Sequence, residues 1–219
     1  MSFSKFALDT ANKLRPVLTK IVPAGLLSAV KAKIVEKNTN SLSSVHIEPF
    51  DKSKYDKGIN LIGNIRGDNG LGQSMRLIAD IIDKSEIPFT INNFFVPPGG
   101  SMTDKSYDYK ITDKASYGVN VIHVNASEFT LCYMEYGNKL WNYRYNIAYW
   151  LWELEEFPEE WLNNINLVDE IWTPAEFISN TLRKYTDKPV TTVPYCVTAP
   201  TDDKYDRKYF NLPEEKFLF

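Results

Sequence analysis

Short apolar runs alternate with amphipathic segments from residue 58 to about residue 195. Six runs bounded by turn-forming residues have the length of strands: Ile59–Ile65, Pro88–Asn93, Val119–Val124, Tyr145–Leu151, Val168–Trp172 and Val190–Val193. Apolar residues recur at helical spacing in three segments between them: 72–84, 158–164 and 175–185. Strands that alternate with helices predict an α/β fold, a Rossmann-like parallel sheet with helices on both faces.

A glycine-rich loop follows the first predicted strand. Gly67, Gly70 and Gly72 lie in this loop, and the helix after it begins near Gly72. The first N–H groups of a helix have no partner within the helix, and the helix dipole favours negative charge there. The sequence therefore predicts a ligand site at this loop, for a phosphate or another polar group.

A nicotinamide or flavin dinucleotide fits this loop poorly. Its fingerprint needs a third glycine in G-x-G-x-x-G and an acidic residue about 20 positions further on. Met75 occupies the place of the third glycine, and the next strand ends in Asn92 and Asn93. There is also no Walker lysine after the loop. A glycine-rich turn that binds no ligand remains the alternative.

Composition and charge restrict the class of protein. The chain has 219 residues, with 43% hydrophobic and 24% charged residues and a net charge of -3, which is typical of a globular protein and disfavours a general nucleic-acid binder. Its two cysteines, Cys132 and Cys196, are far apart, which indicates neither a disulfide framework nor a zinc site. With two histidines in all, a His-rich metal site is excluded, and we predict no metal.

The first 40 residues differ from the rest in charge. They contain seven basic and two acidic residues, with apolar residues at helical spacing and prolines at 16 and 23. The pattern predicts two short basic amphipathic helices, either docked on an anionic membrane surface or packed on the main domain. Residues 41–57 are turn-rich and are interpreted as a linker to the Rossmann-like domain of residues 58–200.

Candidate site residues follow from topology, because ligands of such sheets bind beyond the carboxyl ends of the strands. The polar residues expected there belong to the loop from Arg66 to Gln73 or follow later strands, and the latter are His123, Asn125, Glu153, Glu155 and Thr173. His123 could equally be a core histidine with satisfied hydrogen bonds.

Several segments, taken in order, resemble one known family. They are residues 58–66 (GINLIGNIR), 70–74 (GLGQS), 120–125 (NVIHVN), 149–161 (YWLWELEEFPEEW) and 168–177 (VDEIWTPAEF). The chain resembles the N-terminal domain of retaining GT-B glycosyltransferases of the family-four (group 1) type. Residues 211–219 resemble the lead into the second Rossmann domain of that family.

The resemblance implies sugar transfer from a nucleotide-sugar donor to a sugar or lipid-linked acceptor, in bacterial polysaccharide or glycolipid synthesis. It implies no cofactor, and a cytoplasmic enzyme that can be peripheral on the inner face of the membrane. The N-terminal domain would hold the acceptor, and a second domain, absent from this chain, would hold the donor. We therefore expect residues 201–219 to lead into that domain and the chain alone to be inactive.

The resemblance also suggests roles for the candidate residues. His123 or Glu153 would position the acceptor hydroxyl or contact the donor sugar, and the backbone N–H groups of the loop would face the diphosphate. The expected substrate-binding residues are Arg66, Asn69, Gly70, Leu71, Gly72, Gln73, Asn125, Trp152, Glu155 and Thr173. Trp150 and Trp152 could stack on sugars, although core packing is the favoured interpretation. We also expect Gly72→Val to impair turnover and leave the fold intact.

Two other classes remain open. One is a non-catalytic binding or partner module with a Rossmann fold, and the other is a dinucleotide-binding enzyme.

Overall fold

The computed structural model describes residue 42 and residues 45–96, 100–197 and 204–218. The predicted basic extension of residues 1–40 lies outside these described residues. The strands are β1 (Asp56–Gly63), β2 (Phe89–Asn93), β3 (Tyr117–His123), β4 (Tyr145–Tyr149), β5 (Glu170–Thr173) and β6 (Val190–Thr192). The α-helices are α1 (Gly70–Lys84), α2 (Ala126–Tyr136), α3 (Asn138–Trp141) and α4 (Glu176–Leu182), and 3-10 helices cover Asp108–Lys110 and Glu159–Leu167.

The six strands form one sheet in the order β2-β1-β3-β4-β5-β6, and every neighbouring pair is parallel. The predicted α/β, Rossmann-like fold is therefore confirmed. After β2 the chain returns to the other side of β1, so the sheet reverses its winding direction between β1 and β3. Helices α1 and α2 belong to different core clusters and lie on opposite faces of the sheet, as expected for right-handed crossovers on the two sides of this point.

Successive residues of each strand point to opposite faces, and each face carries its own core. Leu61 packs with Met75 and Ile78 of α1, whereas Ile62 belongs to a larger cluster formed with α2, α3, α4 and the second 3-10 helix. In β4 and the residue after it, Tyr149 and Trp150 alternate between the two clusters in the same way. The predicted burial of the sheet between helices on both faces is therefore confirmed.

Three predicted details differ from the structure. Helices α2 and α3 were not predicted, because Phe129, Thr130 and Tyr133 are weak helix formers and apolar residues occur on several sides of α2. The helix predicted at 158–164 is a 3-10 helix. Phe177 is one of the apolar residues at helical spacing in the predicted segment 175–185, but half of its surface is exposed.

A ladder of buried asparagines crosses the centre of the sheet. The Asn60 side chain donates to Asn120 Oδ1 at 2.9 Å, and the Asn120 side chain donates to Asn146 Oδ1 at 2.8 Å. The three residues are register partners on β1, β3 and β4. Because buried amides are costly when unpaired, this ladder favours a single register of the three strands.

The predicted linker includes a segment that packs on the domain. The Glu48 N–H donates to Asn142 Oδ1 at 3.1 Å, and the Glu48 carbonyl accepts from the Tyr143 N–H at 3.0 Å. Val45 and Ile47 contact the larger core cluster. Within the described ranges, no helix has the length and apolar character needed to cross a membrane.

Candidate functional site

A cleft of about 250 Å³ opens at the carboxyl ends of β1, β2 and β3. It lies where the sheet reverses its winding direction, the place where open α/β sheets bind ligands. The residues that line it are Asn64, Asn69, Leu71, Phe94, Phe95, Val96, Gly100, His123, Val124, Asn125 and Glu128.

One wall of the cleft is the glycine loop and the start of α1. Asn69 caps the helix, because its Oδ1 accepts from the Gly72 N–H at 2.9 Å. The N–H groups of Gly70 and Leu71 lie in the first turn and have no carbonyl acceptor within the helix. They are the donors that this end of the helix can offer to a ligand. The predicted helix N-terminus beside a cleft is confirmed.

Gly72 is required by the packing of the loop on itself. A Cβ at Gly72 would lie 2.0 Å from the carbonyl oxygen of Gly67. Arg76 holds the same turn, since its Nη1 donates to the carbonyl oxygens of Ile65 at 2.8 Å and Gly67 at 2.9 Å. Because this clash is with the backbone of the loop, we now expect Gly72→Val to destabilise the domain as well as to impair turnover.

Close contact between α1 and the sheet is achieved without the third glycine of the dinucleotide fingerprint. Met75 is fully buried and packs over Gly63, the last residue of β1. Gly63 has φ +153, and a Cβ there would lie 3.0 Å from Met75 Sδ and 2.4 Å from the carbonyl oxygen of His123. The glycine that permits this contact is on the strand, and the helix contributes a large side chain.

His123, the last residue of β3, lies at the base of the cleft with 3% of its surface exposed. Its Nε2 is 2.9 Å from Ser74 Oγ, and its ring stacks on Tyr149 with centroids 5.1 Å apart. Burial lowers the pKa of His123 to about 4. The imidazole is consequently neutral near pH 7. It can take part in a hydrogen bond to a ligand, but it supplies no positive charge.

The opposite wall is the start of α2. Asn125 precedes this helix, and its Oδ1 accepts from the Leu151 N–H at 3.3 Å, which ties the wall to the end of β4. Glu128 lies in the first turn of α2. Its carboxylate complements the dipole of that helix and gives this side of the cleft a negative group.

The other predicted site residues do not line the cleft. Arg66 Nε donates to Asp108 Oδ1 at 2.7 Å, and Gln73 accepts from Arg76. Thr173 is buried against Ser179 at 2.7 Å. The remaining ones are Gly70 and Gly72 at the start of α1, Trp152, which donates to the carbonyl oxygen of Glu156, and the exposed Glu153 and Glu155 in the segment after β4.

The structure thus brings together Asn69, Leu71, His123 and Asn125 of the predicted set, but it does not place Glu153 beside His123. Trp150, which was considered for sugar stacking, is fully buried in the core. In the described part of the chain, no group of three or more His, Cys, Asp or Glu residues is placed to hold a metal ion.

Sequence reasoning missed seven of the described residues that line the cleft: Asn64, Phe94, Phe95, Val96, Gly100, Val124 and Glu128. The predicted first strand, Ile59–Ile65, includes Asn64, whereas β1 ends at Gly63 in the structure. The position of Asn64 as a polar residue directly after a buried apolar run is the sequence signal that indicates a site residue.

Comparison of the chain with models of known protein families, with curated protein sequences and with solved structures finds no match.

Proposed function

We propose that the chain is the acceptor-binding domain of a GT-B glycosyltransferase that acts with a nucleotide-sugar held by a second domain. The observation that carries the proposal is the cleft at the switch point of the sheet, lined by Asn69 and Leu71 on one side and by His123 and Asn125 on the other. A small cleft lined by both apolar side chains and convergent polar groups suits a small ligand.

In this proposal the acceptor lies in the cleft, with His123 at its base and Asn125 at its side. The neutral imidazole orients an acceptor hydroxyl through a hydrogen bond, so its contribution is positioning. The N–H groups of Gly70 and Leu71 face the donor diphosphate as negative charge develops on it. Glu153 lies outside the cleft lining, and the acceptor contacts are therefore assigned to His123 and Asn125.

The dinucleotide alternative receives less support from the residues at the end of β2. Asn92 donates to the Thr112 carbonyl oxygen at 2.8 Å, and Asn93 accepts from the Ile65 N–H at 3.1 Å. Both side chains are hydrogen-bonded to the backbone of neighbouring segments, and neither supplies the carboxylate that a ribose would require.

Binding measurements on the 219-residue chain test the proposal. Calorimetric titration with UDP- and GDP-sugars should give weak binding at most, because this cleft forms only one wall of a donor site. Micromolar binding of a nucleotide-sugar by the chain alone would contradict the assignment of the donor to another domain.

Amide NMR spectra recorded with a panel of oligosaccharides provide a second test of the proposal. Resonances of the cleft residues should shift, and Asn125→Ala should weaken the binding. The matched control is Asn166→Ala, which changes an exposed asparagine that precedes β5, three strands away from β1 in the sheet. Shifts confined to residues outside the cleft would contradict an acceptor site there.

A further inference from the structure

Ser74 on α1 connects two residues that line the cleft. It has 6% of its surface exposed, and its Oγ lies 2.9 Å from His123 Nε2. The same hydroxyl donates to the carbonyl oxygen of Leu71 at 3.0 Å. Leu71 and His123 both line the cleft, so one buried hydroxyl contacts the helix turn on one side and the imidazole at the base.

These two hydrogen bonds are compatible with only one arrangement of protons. A serine hydroxyl carries a single proton, and the Leu71 carbonyl oxygen can only accept a hydrogen bond. When the hydroxyl proton is directed to Leu71, Oγ has to accept the hydrogen bond from His123, which requires a proton on Nε2. A neutral imidazole carries one ring N–H proton, so Nδ1 is left with a lone pair.

The competing arrangement places the proton on Nδ1 and turns the Ser74 hydroxyl from Leu71 to Nε2. In that tautomer Nδ1–H would meet the backbone of His123 itself, which acts on this ring. A hydrogen bond from a histidine ring to the carbonyl group of the same residue is strongly bent, and bent hydrogen bonds are weak. Among the other described residues, none forms a hydrogen bond with Nδ1. The Nε2–H tautomer is therefore favoured.

Tyr149 and Ser74 restrict different movements of the imidazole. The Tyr149 ring stacks on His123 with centroids 5.1 Å apart at 14°, and its hydroxyl donates to the Val193 carbonyl oxygen at 2.6 Å. Stacking fixes the plane of the imidazole, but a half-turn about the Cβ–Cγ bond leaves that plane unchanged. The hydrogen bond to Ser74 distinguishes the two orientations, because after the half-turn Cε1 would face Oγ in place of Nε2.

We propose that Ser74 is a positioning residue that holds His123 in the Nε2–H tautomer, so that Nδ1 accepts a hydrogen bond from an acceptor hydroxyl in the cleft. The inference rests on the proposed function. It adds to that function the atom of His123 that binds the acceptor and the residue that selects this atom. Ser74 acts through the imidazole and contacts no substrate.

Imidazole NMR on the full 219-residue chain tests the tautomer directly. A long-range proton–nitrogen correlation spectrum near pH 7 distinguishes a protonated ring nitrogen from one with a lone pair by its chemical shift. The sequence has two histidines, so His46→Gln assigns the signals. His123 should show a single tautomer with the proton on Nε2. Titration with methyl glycosides of glucose, galactose and mannose should then shift Nδ1 more than Nε2.

Serine variants separate positioning from structure. Ser74→Ala should populate both tautomers and weaken glycoside binding about two- to tenfold, the effect of losing one neutral hydrogen bond. Ser74→Thr keeps the hydroxyl and should retain the tautomer. The matched control is Ser85→Ala at the C-terminal end of α1, because Ser85 Oγ also donates to a carbonyl oxygen three residues earlier, that of Ile82 at 2.7 Å. This control should change neither the tautomer nor the affinity.

Each other outcome has a definite meaning. A protonated Nδ1 in the parent chain overturns this inference, and that spectrum decides the question even if no Ser74 variant folds. An unchanged tautomer or unchanged affinity in a folded Ser74→Ala also overturns it, while shifts of the cleft amides with a sugar still support the proposed function. Absence of cleft shifts with every sugar overturns the proposed function, and the role of Nδ1 in binding with it.

Discussion

Replacement of Gly72 by alanine should destabilise the domain, whereas the same change at Gly70 should not. A Cβ at Gly72 would lie 2.0 Å from the Gly67 carbonyl oxygen and 2.7 Å from its carbonyl carbon. Both contacts are with backbone, so no side-chain rotation relieves them and the loop itself must move. At Gly70 an added Cβ meets no atom within 4 Å.

The magnitude follows from two opposing effects. Overpacking of this kind costs about 1–3 kcal/mol, and alanine in place of a helical glycine returns about 0.5–1 kcal/mol. The net loss in free energy of unfolding for Gly72→Ala is then about 1–2 kcal/mol. Gly70→Ala has only the favourable part and should gain about 0.5 kcal/mol, because it restricts the unfolded chain.

Urea unfolding followed by tryptophan fluorescence measures both variants. With a slope of about 2 kcal/mol per molar urea, the midpoint of Gly72→Ala should fall by about 0.5–1 M, and that of Gly70→Ala should rise slightly. Equal midpoints for the two variants, or a rise for Gly72→Ala, would refute the assignment of Gly72 to loop packing.

Three further predictions concern the core, the buried histidine and the amino-terminal segment. Asn120→Ala breaks the ladder at its centre and should reduce the free energy of unfolding by about 2–4 kcal/mol. The control Asn166→Ala should change it by less than about 0.5 kcal/mol. Similar urea midpoints for the two variants would show that the ladder does not stabilise the domain. His123 is protonated less readily in the folded state, with a pKa of about 4 against 6.5, so stability should fall as pH decreases from 6.5 to about 4. The His123 contribution to this loss in free energy of unfolding, about 3 kcal/mol, should disappear in His123→Gln and persist in His46→Gln. If His123→Gln loses stability with decreasing pH as steeply as the parent does, the prediction is contradicted. Residues 1–40 should bind the chain to anionic vesicles, because each basic side chain near the surface adds about 1 kcal/mol of attraction, and salt should weaken this binding. Co-sedimentation that persists after deletion of residues 1–40 would exclude a membrane-binding role for them.

The fold was predictable from the sequence because the strands are buried on both faces. Parallel strands of this kind are nearly continuous apolar runs, interrupted by Asn60 in β1 and by Asn120 in β3, and such runs are visible without knowledge of the partner strands. Helix α2 was not visible, because it lies against both the sheet and the second 3-10 helix. Its contact with that helix, Thr130 to Asn164 at 2.8 Å, joins residues 34 apart.

The candidate site was only partly predictable, for a related reason. Residues at strand ends, such as His123 and Asn125, follow from topology alone. Phe94 and Glu128 reach the same cleft through the path of the chain after β2 and the first turn of an unpredicted helix. Whether a carboxylate such as Glu153 turns toward the cleft depends on loop geometry, which local sequence does not encode.

The asparagine ladder has a consequence for how the domain folds. Its two hydrogen bonds join residues 60 and 26 positions apart, so each requires a long chain segment to close before it forms. If only β3 and β4 were paired, Asn120 would be buried with part of its amide unsatisfied. Partly assembled sheets are therefore penalised relative to the complete one, and the penalty favours an all-or-none transition. We expect fluorescence and circular dichroism to report coincident unfolding curves, with the central strands gaining protection from amide exchange together.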